Sequence, residues 1–433
     1  MSAVPPLDAA YLQGTQFGLT WLGLCTASYI QDGNKNQQQI IDTIRFAFNP
    51  TDGHTYIPAP PDPTTGGSST LQGSWSVDWG PALTEDGSNL VYVASFRSQA
   101  GKPFFFATVI RGTDIYAGSV PVIQQVFQDF DAVTMVDVGV MFDTLPLTEH
   151  PPGKPIAPLL QGMIAAGTSA GFQRQAALTA SYTIGGKTST ANVGRAVFDL
   201  VAAFPGTPLV VTGHSLGGCQ TQIMAAYLAW WLSSSSSTKD VPIYPNPIAP
   251  STAGGADFAA NYDKLFPYGN FWFNQLDVVP CGFANLSEIA GLWTAYPWPA
   301  GSSNTITGQD LSGQPGPQAP SDLTTLVNSL IGKEVGKLSY TRPSVGQQSM
   351  TQPLPTPQAQ LAFLQAAQQA KVVGGGFDPE PGPVVNTLQQ QAMEGLAMLE
   401  WQHFPPCYHQ LMAKVAGVLP YPLIDSNAVP VQA

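Results

Sequence analysis

The feature that most constrains this chain is a helix, strand, turn and helix written into residues 196–232. Residues 196–204 read as the end of a helix, and Pro205-Gly206 stops it. The following run, residues 208–212, is short and apolar throughout, which suits a strand buried on both faces. Gly213-His214-Ser215-Leu216-Gly217 comes next, and Leu216, Cys219, Ile223, Tyr227 and Trp231 then recur at steps of three or four, one face of a helix. A strand fed and left by helices belongs to an α/β fold with a mostly parallel central sheet flanked by helices.

The pentapeptide has a chemical reading. A serine hydroxyl is a poor nucleophile at neutral pH and must be projected from a sharp turn toward a base. Gly213 and Gly217 supply the room such a turn needs. A bare Gly-x-Ser-x-Gly is a weak signal, but the buried strand before it and the helix after it are what an α/β-hydrolase nucleophile elbow requires. Ser215 is therefore the candidate nucleophile.

A base must lie within reach, and histidine suits the work. Of the five histidines, His54 and His150 precede the elbow and His214 lies within it. The order Ser, acid, His leaves His403 and His409 as candidates. The orienting carboxylate belongs just past a strand, where Asp277 stands at the end of the aromatic run 271–276; Asp257 and Asp263 fit less well. The oxyanion of an acyl-transfer intermediate needs two donors. Leu216, directly after the nucleophile, supplies one N–H, and Thr113, after the strand 104–110, is the candidate for the other.

Further strands are expected over residues 90–96 and 104–110, and a strand and turn over 241–252, where Pro242, Pro245, Pro247 and Pro250 limit ladder pairing. Residues 1–433 are read as one domain. It carries a Pro-, Gly- and aromatic-rich insertion over 282–383, with Trp293, Tyr296 and Trp298 and helices over 321–330 and 358–373. A last helix, 384–401, leads into His403.

The net charge of -12 and a charged share of only 10% leave no basic footprint for nucleic acid or anionic lipid. No apolar run is long enough to span a bilayer. No basic residue precedes the apolar stretch within residues 1–24, so no signal peptide is visible, although a secreted or cell-envelope setting suits the chemistry. Cys25, Cys219, Cys281 and Cys407 form no Cys-x-x-Cys pair. Cys281 and Cys407 each lie four residues beyond a candidate catalytic residue, which makes a bridge between them an expectation. The chemistry requires no cofactor or metal.

Three motifs resemble the class 3 lipases. Arg111-Gly112-Thr113 looks like that family's oxyanion segment. Val210-Val211-Thr212-Gly213-His214-Ser215-Leu216-Gly217-Gly218 looks like its elbow. Pro250-Ser251-Thr252-Ala253-Gly254, with Leu276-Asp277-Val278-Val279-Pro280, looks like its later turns and acid. The family's last motif, a His followed by Tyr, matches His403 and Tyr408 better than His409. The resemblance implies a Ser215-Asp277-His403 triad, an acyl-enzyme intermediate, and a triacylglycerol or other lipid ester substrate at an oil-water interface. It also implies a lid over residues 119–130, carrying Val122, Ile123, Val126 and Phe127. The alternatives are an esterase for short-chain, aromatic or polymeric esters, and a phospholipase. A lipid-binding protein on an inactive hydrolase fold is a different class, and an intact set of four site residues argues against it.

Overall fold

The computed structural model describes residues 17–28, 37–51, 55–62, 65, 69–85, 89–112, 134–151, 160–275, 277–284, 338–350, 403, 408 and 411–413. Its strands are β1 (Ser74–Leu83), β2 (Leu90–Arg97), β3 (Pro103–Ile110), β4 (Met135–Asp137), β5 (Met163–Ala165), β6 (Thr179–Ile184), β7 (Lys187–Asn192), β8 (Leu209–His214), β9 (Ile243–Ile248), β10 (Phe271–Asn274) and β11 (Gln347–Met350). Its helices are α1 (Gly18–Ala27), α2 (Gln37–Phe48), α3 (Val138–Asp143), α4 (Ala166–Ala177), α5 (Val193–Ala203), α6 (Leu216–Leu232) and α7 (Ala256–Leu265).

Every residue of β8 is buried. Leu209 and Val211 join the apolar cluster on one face of the sheet, and Val210 joins the cluster on the other. A strand without a polar face is stable only between two layers, and β8 sits mid-sheet in the order β11-β10-β9-β8-β3-β2-β1-β6-β7.

The sheet is mixed. β3, β8, β9, β10 and β11 run parallel, while β2, β1, β6 and β7 extend it antiparallel. The expected parallel sheet is thus the half that carries the elbow. In the antiparallel half β1, β2 and β3 follow one another along the chain, whereas β6 docks on β1 from about a hundred residues away; Gly185 and Gly186, with φ of 56° and 79°, make the two-residue turn between β6 and β7.

Helices cover both faces. Phe172 of α4, Val197 of α5, Ile223 of α6 and Tyr262 of α7 pack on one side. Trp21 of α1, Ile44 of α2 and the C-terminal Leu411 and Met412 pack on the other, with Trp272. α5 starts where the Asn192 side chain accepts from the Arg195 N–H at 2.9 Å, satisfying one of the orphan donors of a first turn.

One helix departs from the sequence expectation. α6 buries all its residues except Leu216 and Ala229, not one face alone. It is enclosed by the sheet and the flanking helices, and at its far end Tyr227 and Trp231 both donate to the Glu149 carbonyl, at 2.9 and 3.2 Å. Its enclosure takes in polar residues too: the Gln220 amide donates to the Thr168 carbonyl at 3.0 Å and the Thr221 hydroxyl to the Gly217 carbonyl at 2.8 Å. α1 is also buried nearly throughout, and the Tyr92 hydroxyl donates to the Leu24 carbonyl at 2.6 Å. The described part of the N-terminal apolar stretch is therefore core.

β9 shows the effect of its prolines. It pairs with β8 at six positions but with β10 only at Ile248↔Trp272, because proline has no N–H to give a second neighbour. Within the 282–383 segment, residues 338–350 return to the sheet. The Asp263 carboxylate accepts from the Ser344 N–H at 2.9 Å and the Val345 N–H at 3.2 Å, and β11 then adds an edge strand beside β10.

Residues 119–130, Trp293, Tyr296, Trp298 and the expected helices over 321–330, 358–373 and 384–401 lie outside the described residues. Among the described residues no helix is long and apolar enough to cross a membrane.

Candidate active site

The turn after β8 forces Ser215 to φ 62° and ψ -128°, a conformation that costs a non-glycine residue about 1–3 kcal/mol. It is held from both sides, since the Ser215 N–H donates to Ile248 of β9 at 3.0 Å and the Ser215 carbonyl accepts from Cys219 at 3.1 Å. The strain lifts the hydroxyl out of the strand at the head of α6.

The glycines around it allow backbone to meet backbone. A Cβ at Gly217 would lie 2.3 Å from the Ile110 carbonyl oxygen and 2.8 Å from the Gly112 nitrogen, and one at Gly213 would lie 2.3 Å from the Gly217 oxygen. The end of β3 is thereby pressed against the elbow. Overpacking of this kind costs roughly 3 kcal/mol, so Gly217→Ala is expected to lower stability by about that amount in urea unfolding. A change under about 1 kcal/mol would mean that the backbones do not pack this closely.

Three distant residues converge on this turn. Ser215 Oγ donates to His403 Nε2 at 2.8 Å, and His403 Nδ1 donates to Asp277 Oδ2 at 2.8 Å. Asp277 is 1% exposed, yet its oxygens are occupied. Oδ1 accepts from the Val279 N–H at 2.9 Å, and Oδ2 also accepts from the Tyr408 hydroxyl at 2.7 Å. That hydroxyl in turn accepts from the Asn274 N–H, at the end of β10, at 2.9 Å. Three donors thus hold the buried carboxylate in one orientation.

The other candidates lie elsewhere. His150 packs edge-on against Trp230. Asp257 lies in the first turn of α7, and Asp263 is taken by the 344–345 backbone. Leu216 begins α6 directly after Ser215. His54, Thr113, the candidate lid residues Val122, Ile123, Val126 and Phe127, the alternative base His409, and Cys407 all lie outside the described residues. Cys219, four residues past Ser215, is pushed up to about 11 by burial and is no thiolate. Among the described residues no cluster of His, Cys, Asp or Glu could hold a metal ion.

Two members of the site had no role in the sequence reading. Tyr408 was visible only as the tyrosine after the histidine; its bond to Asp277 could not be read from spacing. His214 was set aside as a base because it lies inside the elbow, and the structure turns it away from Ser215, toward the His403 main chain.

Residues 143–285 match the family model for class 3 lipases, a span that contains both Ser215 and Asp277. Over this segment, about a third of its length, the chain is similar to the class 3 lipases. No curated protein matches it by sequence. Among solved structures, M37 lipase is similar over 94% of this chain and 95% of that one, with 17% identity and a TM-score of 0.53. Lip2 lipase from Yarrowia lipolytica is similar over 61% of this chain and 72% of that one, with 16% identity and a TM-score of 0.38. For a triacylglycerol lipase from Penicillium expansum the shares are 64% and 75%, with 17% identity and a TM-score of 0.34. The nearly end-to-end likeness to M37 lipase shows the fold, which is that of an α/β-hydrolase. The matched segment ends at residue 285, so His403 reaches the elbow from outside it.

Proposed function

We propose that this protein acts as a class 3 lipase and hydrolyses carboxylic esters of lipids, triacylglycerols foremost, with Ser215 as nucleophile, His403 as general base and acid, and Asp277 as the orienting carboxylate. The observation that carries this reading is the continuous relay from Ser215 Oγ through both ring nitrogens of His403 to Asp277, with both contacts at 2.8 Å.

In the first half-reaction Ser215 Oγ attacks the ester carbonyl while His403 Nε2 takes its proton. The charge that develops on the carbonyl oxygen is met by the Leu216 N–H and by Thr113. The C–O bond to the alcohol then breaks, and the alcohol leaves with the proton from His403. Water attacks the acyl-enzyme through the same base and releases the acid. Asp277 holds the Nδ1–H tautomer and stabilises the imidazolium throughout.

The test is a set of initial rates on esters of rising acyl length, below and above each substrate's solubility limit, with fluorophosphonate labelling in parallel. A lipase is expected to turn over long-chain esters and to accelerate once an interface forms, with the label on Ser215. Activity confined to soluble short-chain esters would replace the lipid substrate with a small ester, and label on any other residue would remove Ser215 from the mechanism.

A further inference from the structure

We infer that His214, the second residue of the elbow, is a positioning residue that fixes the main chain of the base, an inference that rests on the hydrolase reading above. His214 is 1% exposed and its Nε2 lies 2.9 Å from the His403 carbonyl oxygen. A carbonyl can only accept, so Nε2 carries the proton and His214 is the donor. Its ring also lies against the His403 ring, with centroids 4.9 Å apart and planes at 34°, and meets Tyr408 edge-on at 5.7 Å.

His403 needs such an anchor. It is 126 residues beyond Asp277, and two bonds to its ring fix the ring only if its Cα is fixed as well. The side of His403 away from the triad is its main chain, and His214 binds there from the same strand end that presents Ser215. The base is thereby placed relative to the nucleophile by two consecutive residues of the elbow. Burial, and after it the neighbouring His403, holds the His214 pKa well below the ordinary histidine range. A neutral ring suits the site, since a cation there would oppose the imidazolium that forms on His403.

The experiment compares His214→Gln, which keeps an N–H at a similar reach, with His214→Leu, which keeps bulk and loses the donor. Displacement of a base by about 1 Å costs on the order of 100-fold in rate. His214→Leu is expected to lower kcat by about that factor with KM changed less than about twofold, and to slow fluorophosphonate labelling equally. His214→Gln is expected to recover most of it. Independently of substrate, the low-field proton resonance of the His403 Nδ1–H bond to Asp277 should persist in His214→Gln and disappear in His214→Leu.

Turnover of folded His214→Leu near that of the unsubstituted protein, or equal impairment of both variants, would overturn the inference. Should His214→Leu fail to fold, His214→Asn, whose amide is too short to reach, takes its place with the same expected losses. Absence of Ser215 labelling in the unsubstituted protein would sink the hydrolase reading instead. The proton resonance alone would then decide for or against His214.

Discussion

Ser215→Ala is expected to remove ester turnover by about 10⁴- to 10⁶-fold and to abolish fluorophosphonate labelling, while leaving the melting temperature within a few degrees. The size follows from the chemistry. With no Oγ there is no acyl-enzyme, and a factor of 10⁶ corresponds to about 8 kcal/mol of lost transition-state stabilisation. The unchanged stability follows from the backbone. Residue 215 sits at φ 62° because the 215 N–H is held by Ile248 and the 215 carbonyl by Cys219; alanine makes both bonds and bears similar strain. Turnover that survives at a tenth or more of the original rate would mean that another residue attacks the ester.

Asp277→Asn is expected to lower kcat by about 10⁴-fold, again with the fold intact. The structure dictates which way the amide turns. At Oδ1 the partner is the Val279 N–H, a donor, so the amide oxygen must occupy that position. The NH₂ group then falls where Oδ2 was, facing His403 Nδ1 and the Tyr408 hydroxyl. It can only donate there, which forces the imidazole proton onto Nε2. That proton would point at Ser215 Oγ, 2.8 Å away, and the ring could no longer accept from the nucleophile. Crystallography or histidine NMR of the variant should therefore find the Nε2–H tautomer. A loss smaller than tenfold would show that Asp277 does not set the tautomer. Asp277→Ala is a poorer probe, because it leaves the Val279 N–H buried and unpaired at a cost of about 1–3 kcal/mol and so mixes stability with mechanism.

The sequence was most legible where burial and periodicity agree. β8 is apolar on both faces because it is a central strand, and no other environment accommodates such a run; its position next to Gly213 made the elbow readable. The strands expected at 90–96 and 104–110 were visible from their Val, Phe and Tyr content, and the structure places them at 90–97 and 103–110. The edge of the sheet was harder to read. β11 is Gln347-Gln348-Ser349-Met350, with only Met350 buried, and β7 is exposed along most of its length. Such strands are polar because they are peripheral, and their pairing comes from the neighbour they dock on. α6 was hard to read in the opposite sense, for it buries Gln220, Thr221 and Gln222 along with its apolar residues and so shows no polar stripe on an outer face.

The same division runs through the site. The amino-acid sequence by itself determined that a serine would be presented between a buried strand and a helix, and that Asp277 and His403 stood in an order compatible with it, because these are local properties of spacing, glycine content and strand ends. Only the tertiary structure decided that His403 meets both partners, that Tyr408 and the Val279 N–H hold Asp277, and that His214 faces the base's main chain and not the nucleophile. Those bonds join residues up to 189 positions apart. They exist because two apolar layers close on one sheet, and no short stretch of the chain carries the information that fixes their geometry.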